Sequence, residues 1–283
     1  MIHRGKYHLE TIKPNIDILG NIAFSADDIL FDWHPFEIPR GGFCIKTFTA
    51  IVAGTDRVAT AGIDMELFFA TSVNGFAPPS LGVSNDATTL LATTACRPHL
   101  IGKQYVDASA VEDGDRLIGY NVWSDTGGPA LGLGTAKLNN HELILEGDPN
   151  YVGDKNRVGH GPTTPGYQTV WIAAFTIGTP NKGTGVLLNK SEGQPVSTGS
   201  DGRGGAVSTE TVLPTDGEDA DDVFAVGDEI ISFASDGSNA ANIGTVVSVT
   251  ANTITVNEVI TAIPDDHEIV FRHPLVLKLG IEY

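Results

Sequence analysis

The densest set of potential metal ligands in the chain is Asp216 to Asp222 (DGEDADD), where clustered carboxylates could hold a hard cation such as Ca²⁺. The run departs from the EF-hand loop, because its glycine and its terminal glutamate are misplaced, and it reads as a solvated acidic turn. Eight histidines are scattered along the chain. His141 and His160 flank a long loop, and His34 sits beside Trp33 and Asp32. None has a second ligand at a useful spacing, so they read as hydrogen-bonded or surface residues. Neither H-E-x-x-H nor C-x-x-C occurs, so the common zinc frameworks are missing and no metal or cofactor is expected.

Nucleophilic and phosphate chemistry fare no better. The string nearest to a G-x-S-x-G elbow is GSDG at Gly199 to Gly202, in a linker-like stretch, whereas an elbow needs a strand-to-helix turn. The glycine string Gly127 to Lys137 (GGPALGLGTAK) lacks the G-K-[ST] ending of a phosphate loop and reads as an ordinary loop. Asp64 and Glu66 share a strand face, the minimum for a glycosidase-type carboxylate pair, but solvent exposure is the simpler reading. Trp33, Trp123 and Trp171 lie within apolar patterns and read as core or interface residues, not sugar platforms. Cys44 and Cys96 sit in apolar or small-residue surroundings and read as two buried thiols without a disulfide. No catalytic residue is assigned, and the chain is expected not to be an enzyme.

The elements that would position any site are strands. Phe43 to Ala53 (FCIKTFTAIVA) is β-branched and aromatic and follows the turn Pro39 to Gly42. Ile63 to Thr71 alternates Ile63, Met65, Leu67 and Phe69 against Asp64 and Glu66, the period of two of a strand with one wet face. Arg116 to Ser124 and Gln168 to Ile177 read the same way. Shorter candidates are Asp28 to Trp33, Lys103 to Ala108, Glu142 to Glu146 and Gly185 to Asn189. One helix is expected, over Asp86 to Cys96, and Asp148 to Gly166 should be loop.

Gln194 to Gly205 (QPVSTGSDGRGG) has the composition of a flexible linker. Beyond it, a Gly227-Asp228 turn leads into a strand. Two more strands meet at a tight turn on Ala251-Asn252, with Val247, Val249, Ile254 and Val256 expected to point inward. Such short strands suggest a small SH3-like or OB-like barrel over 206–271. The last strand, His273 to Tyr283, would be an aggregation liability if unpaired. It is expected to return to the first sheet, making the barrel an insertion; the alternative is that it closes the barrel itself. The whole is read as all-β: a large jelly-roll-like β-sandwich of 1–193 plus 272–283, a linker at 194–205 and the inserted barrel.

Composition bounds the partners. The 283 residues carry 35 acidic against 17 basic side chains, a net charge of −18, which repels phosphate backbones and argues against nucleic acid. The start, MIHRGKYHLE, has no apolar core of signal-peptide length and no run approaches a membrane span, so folding in a cytoplasm without membrane insertion is expected. The 33 glycines and 15 prolines supply the punctuation that many short strands need.

Two segments resemble the virion structural proteins of tailed bacteriophages, especially the capsid-decoration or cement proteins of marine myoviruses. One is DILFDWHPFEIPRGGFCIKTFTAIVAGTDR with DMELFFA, from Asp28 to Ala70. The other is VFAVGDEIISF, IGTVVSVTANTITV and HEIVFRHPLVLKLGIEY, within Val223 to Tyr283. Residues 73–190 match nothing in that family. The resemblance implies binding to the major capsid protein on the virion exterior, as a homotrimer at threefold positions, with no catalytic residues to carry over. A tail or baseplate component is the alternative within the virion, and a carbohydrate-binding or carbohydrate-active β-sandwich is the alternative of another class.

Overall fold

A computed structural model describes residues 6–16, 24–53, 65–85, 95–106, 111–114, 117–121, 143–148, 151, 164–177, 194–195, 211–214, 220–233, 241–258 and 268–283. These residues are all-β apart from a 3₁₀ turn at Arg97–His99 and a one-turn helix, α1 (Ala220–Val223). The readings that rest on Asp64, Trp123, His141, His160, Gly127 to Lys137, Gly185 to Asn189, Asp216 to Asp219 and most of the Asp86 to Cys96 helix lie outside the described residues.

Three antiparallel sheets account for the strands. The first runs β1 (Tyr7–Ile12), β16 (Leu275–Glu282), β3 (Gly42–Ala53), β7 (Leu117–Asn121) and β6 (Val111–Gly114). In that sheet β3 is long enough to share its far edge between β7, against Thr49 to Ala53, and β8 (Leu143–Glu146), against Gly42 to Ile45. The second runs β2 (Ile29–Pro39), β9 (Tyr167–Thr176), β4 (Met65–Ala70) and β5 (Leu100–Val106). The third runs β10 (Gln194–Pro195), β15 (Glu268–Phe271), β12 (Glu229–Phe233), β13 (Ala241–Thr250), β14 (Thr253–Val256) and β11 (Val212–Pro214).

The turn Arg40-Gly41 is a corner between sheets, since β2 belongs to the second sheet and β3 to the first. Gly41 takes φ of 114°, a backbone state that glycine adopts without a Cβ penalty. The buried Gln168 amide fastens the corner, donating to the Gly41 carbonyl at 2.7 Å.

Alternation built these strands, but it is not kept throughout. In β4, Met65, Leu67 and Phe69 are buried as the period of two requires. In β3 the buried phase is Phe43 and Ile45, then Phe48 and Ala50. The slip comes from one extra residue, Lys46, where the β16 register shifts between Gly280 and Ile281. Gly280 sits against this bulge, and a Cβ there would collide with the Thr47 Oγ1.

β9 departs further from the expected one wet face. Val170, Ile172 and Ala174 enter the main core between the first and second sheets. Trp171, Ala173 and Phe175 enter a second apolar cluster on the opposite face. Both faces of the strand are covered, so it reads as a continuous apolar run.

The last strand pairs with β3 and β1, as a return to the first sheet requires, and does not close the third sheet. Gln194-Pro195, the start of the expected linker, instead pair with β15. Within the third sheet β13 carries two bulges, at Ile243 and Val247, so its first half pairs β12 and its second half β14. Among the described residues no pairing joins β10 to β11, and the sheet is a bent, open path. The Ala251-Asn252 turn is where the sequence placed it. Val247, expected inward, is instead 47% exposed, because it is the extra residue of its bulge; Val246 takes the buried place beside Ile254 and Val256.

Candidate functional site

The outer face of the second sheet is covered by a strap, residues 71–85, and the strap is held residue by residue. The Asp32 carboxylate on β2 accepts from the Ser80 hydroxyl at 2.6 Å and from the Leu81 backbone N–H at 2.8 Å. The Trp33 indole N–H donates to the Pro79 carbonyl at 3.0 Å. Ser84 donates its hydroxyl to the Leu30 carbonyl at 2.8 Å, and the Asn85 N–H reaches the Ile29 carbonyl at 2.8 Å. At the other end the Thr71 N–H donates to the His99 carbonyl while His99 Nδ1 donates back to the Thr71 carbonyl, at 2.8 and 2.9 Å. Ser72 ties the same end to Asp148 at 2.8 Å.

Ala77 and Leu81 of the strap pack into one apolar cluster with Cys96, Tyr151, Trp33 and Trp171 beneath it. Tyr151 meets Trp171 edge-on, 5.1 Å between ring centroids. Both described tryptophans are therefore core residues, and Cys96 is a fully buried thiol whose pKa is pushed up by burial and by the Asp32 charge. Cys44 is only half-buried, and neither cysteine is in a disulfide.

Above the strap the apolar side chains face water. A two-residue turn at Asn74-Gly75, both with positive φ, closes the bridge between Val73 and Phe76 and lifts Phe76 to 55% exposure. Val83 is 66% exposed on the same strap. Val226 caps a similarly braced turn, where the Gly227 N–H docks on the Val246 carbonyl and Asp228 accepts from the Ala225 N–H at 2.7 Å.

A charged junction lies where the first, second and third sheets meet. Glu229 on β12 pairs with Lys13 at the end of β1, and His273 Nε2 stands 3.4 Å from the Glu229 carboxylate. The Lys13 hydrogen bond holds the Glu229 carboxyl below its usual range, against the effect of burial. His273 Nδ1 faces the Pro14 carbonyl at 3.5 Å. Both partners favour a charged ring, yet burial outweighs them and lowers the His273 pKa. His34 on β2 is lowered too, by burial first and then by His273. The arrangement cross-links elements; its histidine has a carboxylate neighbour but no adjacent nucleophile among the described residues. Glu66, one half of the expected carboxylate pair, is engaged by Lys103 at 2.6 Å.

Among the described residues no group of three His, Cys, Asp or Glu side chains converges as metal ligands, and no helix is long and apolar enough to cross a membrane. Sequence reasoning missed the strap entirely. The signal was present in Asp32 and in the Asn74-Gly75 dipeptide, a strong turn former between apolar residues.

The fold and these surfaces define an all-β protein built from a two-layer sandwich and a third, bent sheet. No protein-family model matches the chain, and no curated protein sequence does. Among solved structures, a chain from the atomic structure of Sulfolobus turreted icosahedral virus aligns at 11% identity, over 99% of this chain and 91% of that one. The TM-score is 0.15, a superposition too poor to transfer either fold or role.

Proposed function

We propose that the chain is a non-enzymatic structural protein of a virion, a decoration or cement protein that binds the major capsid protein on the capsid exterior as a homo-oligomer, trimeric as the resemblance implies. Assembly takes place in the host cytoplasm. The body is the sandwich, 1–193 with 272–283; 206–271 is a satellite module, with Gln194-Pro195 as its edge strand and the linker following.

The observation that carries this reading is the strap: Phe76 and Val83 stand in water on backbone that five hydrogen bonds fix to β2 beneath. Exposed apolar residues on pre-ordered turns suit docking, because little conformational entropy is lost on binding. A net charge of −18 keeps such a surface away from packaged nucleic acid and directs it to protein.

The test is quantitative mass spectrometry of purified particles together with capsid binding by the isolated chain. Copy number matching the capsid lattice, and binding lost on Phe76→Asp with Val83→Asp, is the expected result. A few copies per particle would move the protein to the tail, and absence from particles would end the virion reading.

A further inference from the structure

Every open sheet edge among the described residues carries a guard against pairing with another chain, except one. On β2 the edge has two register shifts and Pro35 and Pro39. β5 bulges at Ile101, where the register skips from Gly102 to Leu100. β10 has two residues and includes Pro195, and β11 has three and ends in Pro214. β6 and β8 have four residues each, and β6 carries Glu112 and Asp113. These are the usual devices that blunt a sheet edge. β1 is neither cut short nor interrupted: its six residues pair with β16 without a register shift, it has no proline, its one carboxylate, Glu10, is held by His8, and Tyr7 and Leu9 are 72% and 64% exposed.

The hydrogen-bond parity of β1 is fixed. Lys6 and Tyr283 exchange both backbone bonds, at 3.2 and 3.0 Å, so the even residues His8, Glu10 and Ile12 point their backbone groups at β16. The odd residues Tyr7, Leu9 and Thr11 therefore turn theirs outward, along the open edge.

We propose that this edge is an interface between two copies of the chain, β1 against β1 in antiparallel pairing, with a twofold axis at Leu9. Keeping each residue on its own sheet face requires odd opposite odd and even opposite even. Of the registers that meet this rule, centring on His8 sets Lys6 against Glu10 but pairs only Tyr7 to Leu9 within the strand and puts His8 against His8, and centring on Glu10 sets Glu10 against Glu10. Centring on Leu9 gives Leu9 opposite Leu9, Tyr7 opposite Thr11, and His8 opposite Glu10 twice over, an isologous set in which each imidazole faces a carboxylate acceptor. The outward backbone groups of Tyr7, Leu9 and Thr11 are then the ones that face each other. His8 Nε2 already donates to the Glu10 carboxylate within the strand at 2.9 Å, so the contact extends an existing hydrogen-bonded pair into a four-membered polar ring.

The setting suits a second copy despite the acidity of the chain. Lys6, Lys13, Lys46 and Lys278 stand around β1 against Glu10, Glu229 and Glu282, with Lys13 paired to Glu229 and Lys46 to Glu282, so this edge is close to neutral in a chain of net charge −18. The contact is independent of the virion reading, and a twofold join can link copies that belong to neighbouring trimers.

The parity also supplies the experiment. Leu9→Pro removes an outward N–H and leaves the bonds to β16 intact, so the fold should survive while pairing is blocked. Sedimentation of the purified chain over a concentration series should show reversible twofold association, of monomers into dimers or, where the chain is already trimeric, of trimers into pairs. Leu9→Pro should weaken it about tenfold or more at unchanged thermal midpoint. His8→Glu and Glu10→Lys should each weaken self-association, and an equimolar mixture of the two variants should restore it, because each supplies the other's opposite charge. A native chain that shows no such association, a Leu9→Pro chain that associates like the native one, or a mixture no tighter than its components would each overturn the proposal. Because the purified chain is used, failure here leaves the capsid-binding test untouched.

Discussion

Gly280 offers a test of the bulge that sets the phase of the first sheet. It lies on β16 opposite Thr47, one residue from the slip at Lys46. Its backbone is not in the left-handed region, so alanine is conformationally acceptable there. Replacing a strand glycine should then stabilise by about 0.5 kcal/mol, through the smaller entropy of the unfolded chain. The obstacle is a single atom: the new Cβ meets the Thr47 Oγ1, while the next nearest atoms, Thr47 Cβ and N, lie at 3.4 and 3.7 Å. Relieving that collision forces the Thr47 side chain off its rotamer at about 1 kcal/mol.

Gly280→Ala alone should therefore destabilise by roughly 0.5 kcal/mol net. In a Thr47→Ala background the collision is gone, and the same substitution should stabilise by about 0.5 kcal/mol. Thr47 is exposed, so Thr47→Ala by itself should stay within about 0.5 kcal/mol of native. The coupling of about 1 kcal/mol would be read from urea midpoints of the four proteins at constant slope. Equal effects of Gly280→Ala in both backgrounds would refute the register given for β3 and β16.

Two further predictions concern the junction and the third sheet. The lowered pKa values of His34 and His273 mean that the folded chain resists their protonation, so the stability they contribute is complete above the ordinary imidazole value of 6.5 and is lost as pH falls through their folded values. The thermal midpoint should drop on acidification through that window, before Glu229 titrates, and His34→Asn with His273→Asn should flatten the drop; an unchanged slope would remove the histidines from the account. In β13, Val246→Ala should cost about 2 kcal/mol and Val247→Ala less than about 0.5 kcal/mol, and the reverse order in denaturant melts would contradict the bulge.

Much of the fold is legible in composition and alternation. Met65, Leu67 and Phe69 announce β4, the Ala251-Asn252 turn places a hairpin, and the alternating Leu275, Leu277, Leu279 and Ile281 describe β16 one residue at a time. What alternation cannot convey is an extra residue. Val247 and Val246 are the same amino acid side by side, and only the partner strand decides which of them is squeezed out of the ladder. The same holds for Lys46, whose insertion shifts the buried set of β3 by one. Covering of a second face is equally silent: Trp171, Ala173 and Phe175 read as the outward half of a strand until the strap, brought from 71–85, lies over them.

The candidate surfaces were hidden for a related reason. A search for chemistry asks which reactive side chains cluster, and here the pair that does, Glu229 and His273, is spent on structure: Lys13 holds the carboxylate across a sheet junction and burial lowers the His273 pKa. A binding surface made of backbone has no residue-type signature at all. Tyr7, Leu9 and Thr11 are ordinary strand residues, and nothing in their identity distinguishes the open edge from the paired one. The distinction lies in the reciprocal bonds of Lys6 and Tyr283, which fix which side of β1 is already spent. It lies equally in the contrast with β2, where Pro35 and Pro39 spoil the same kind of edge. Guarding several edges while leaving one regular and apolar would invite promiscuous pairing, were it not for His8 and Glu10. Their hydrogen-bond complementarity favours the Leu9-centred register over the one that opposes Glu10 to Glu10, and the length of paired strand favours it over the one centred on His8, so this edge carries its own rule for what it pairs with.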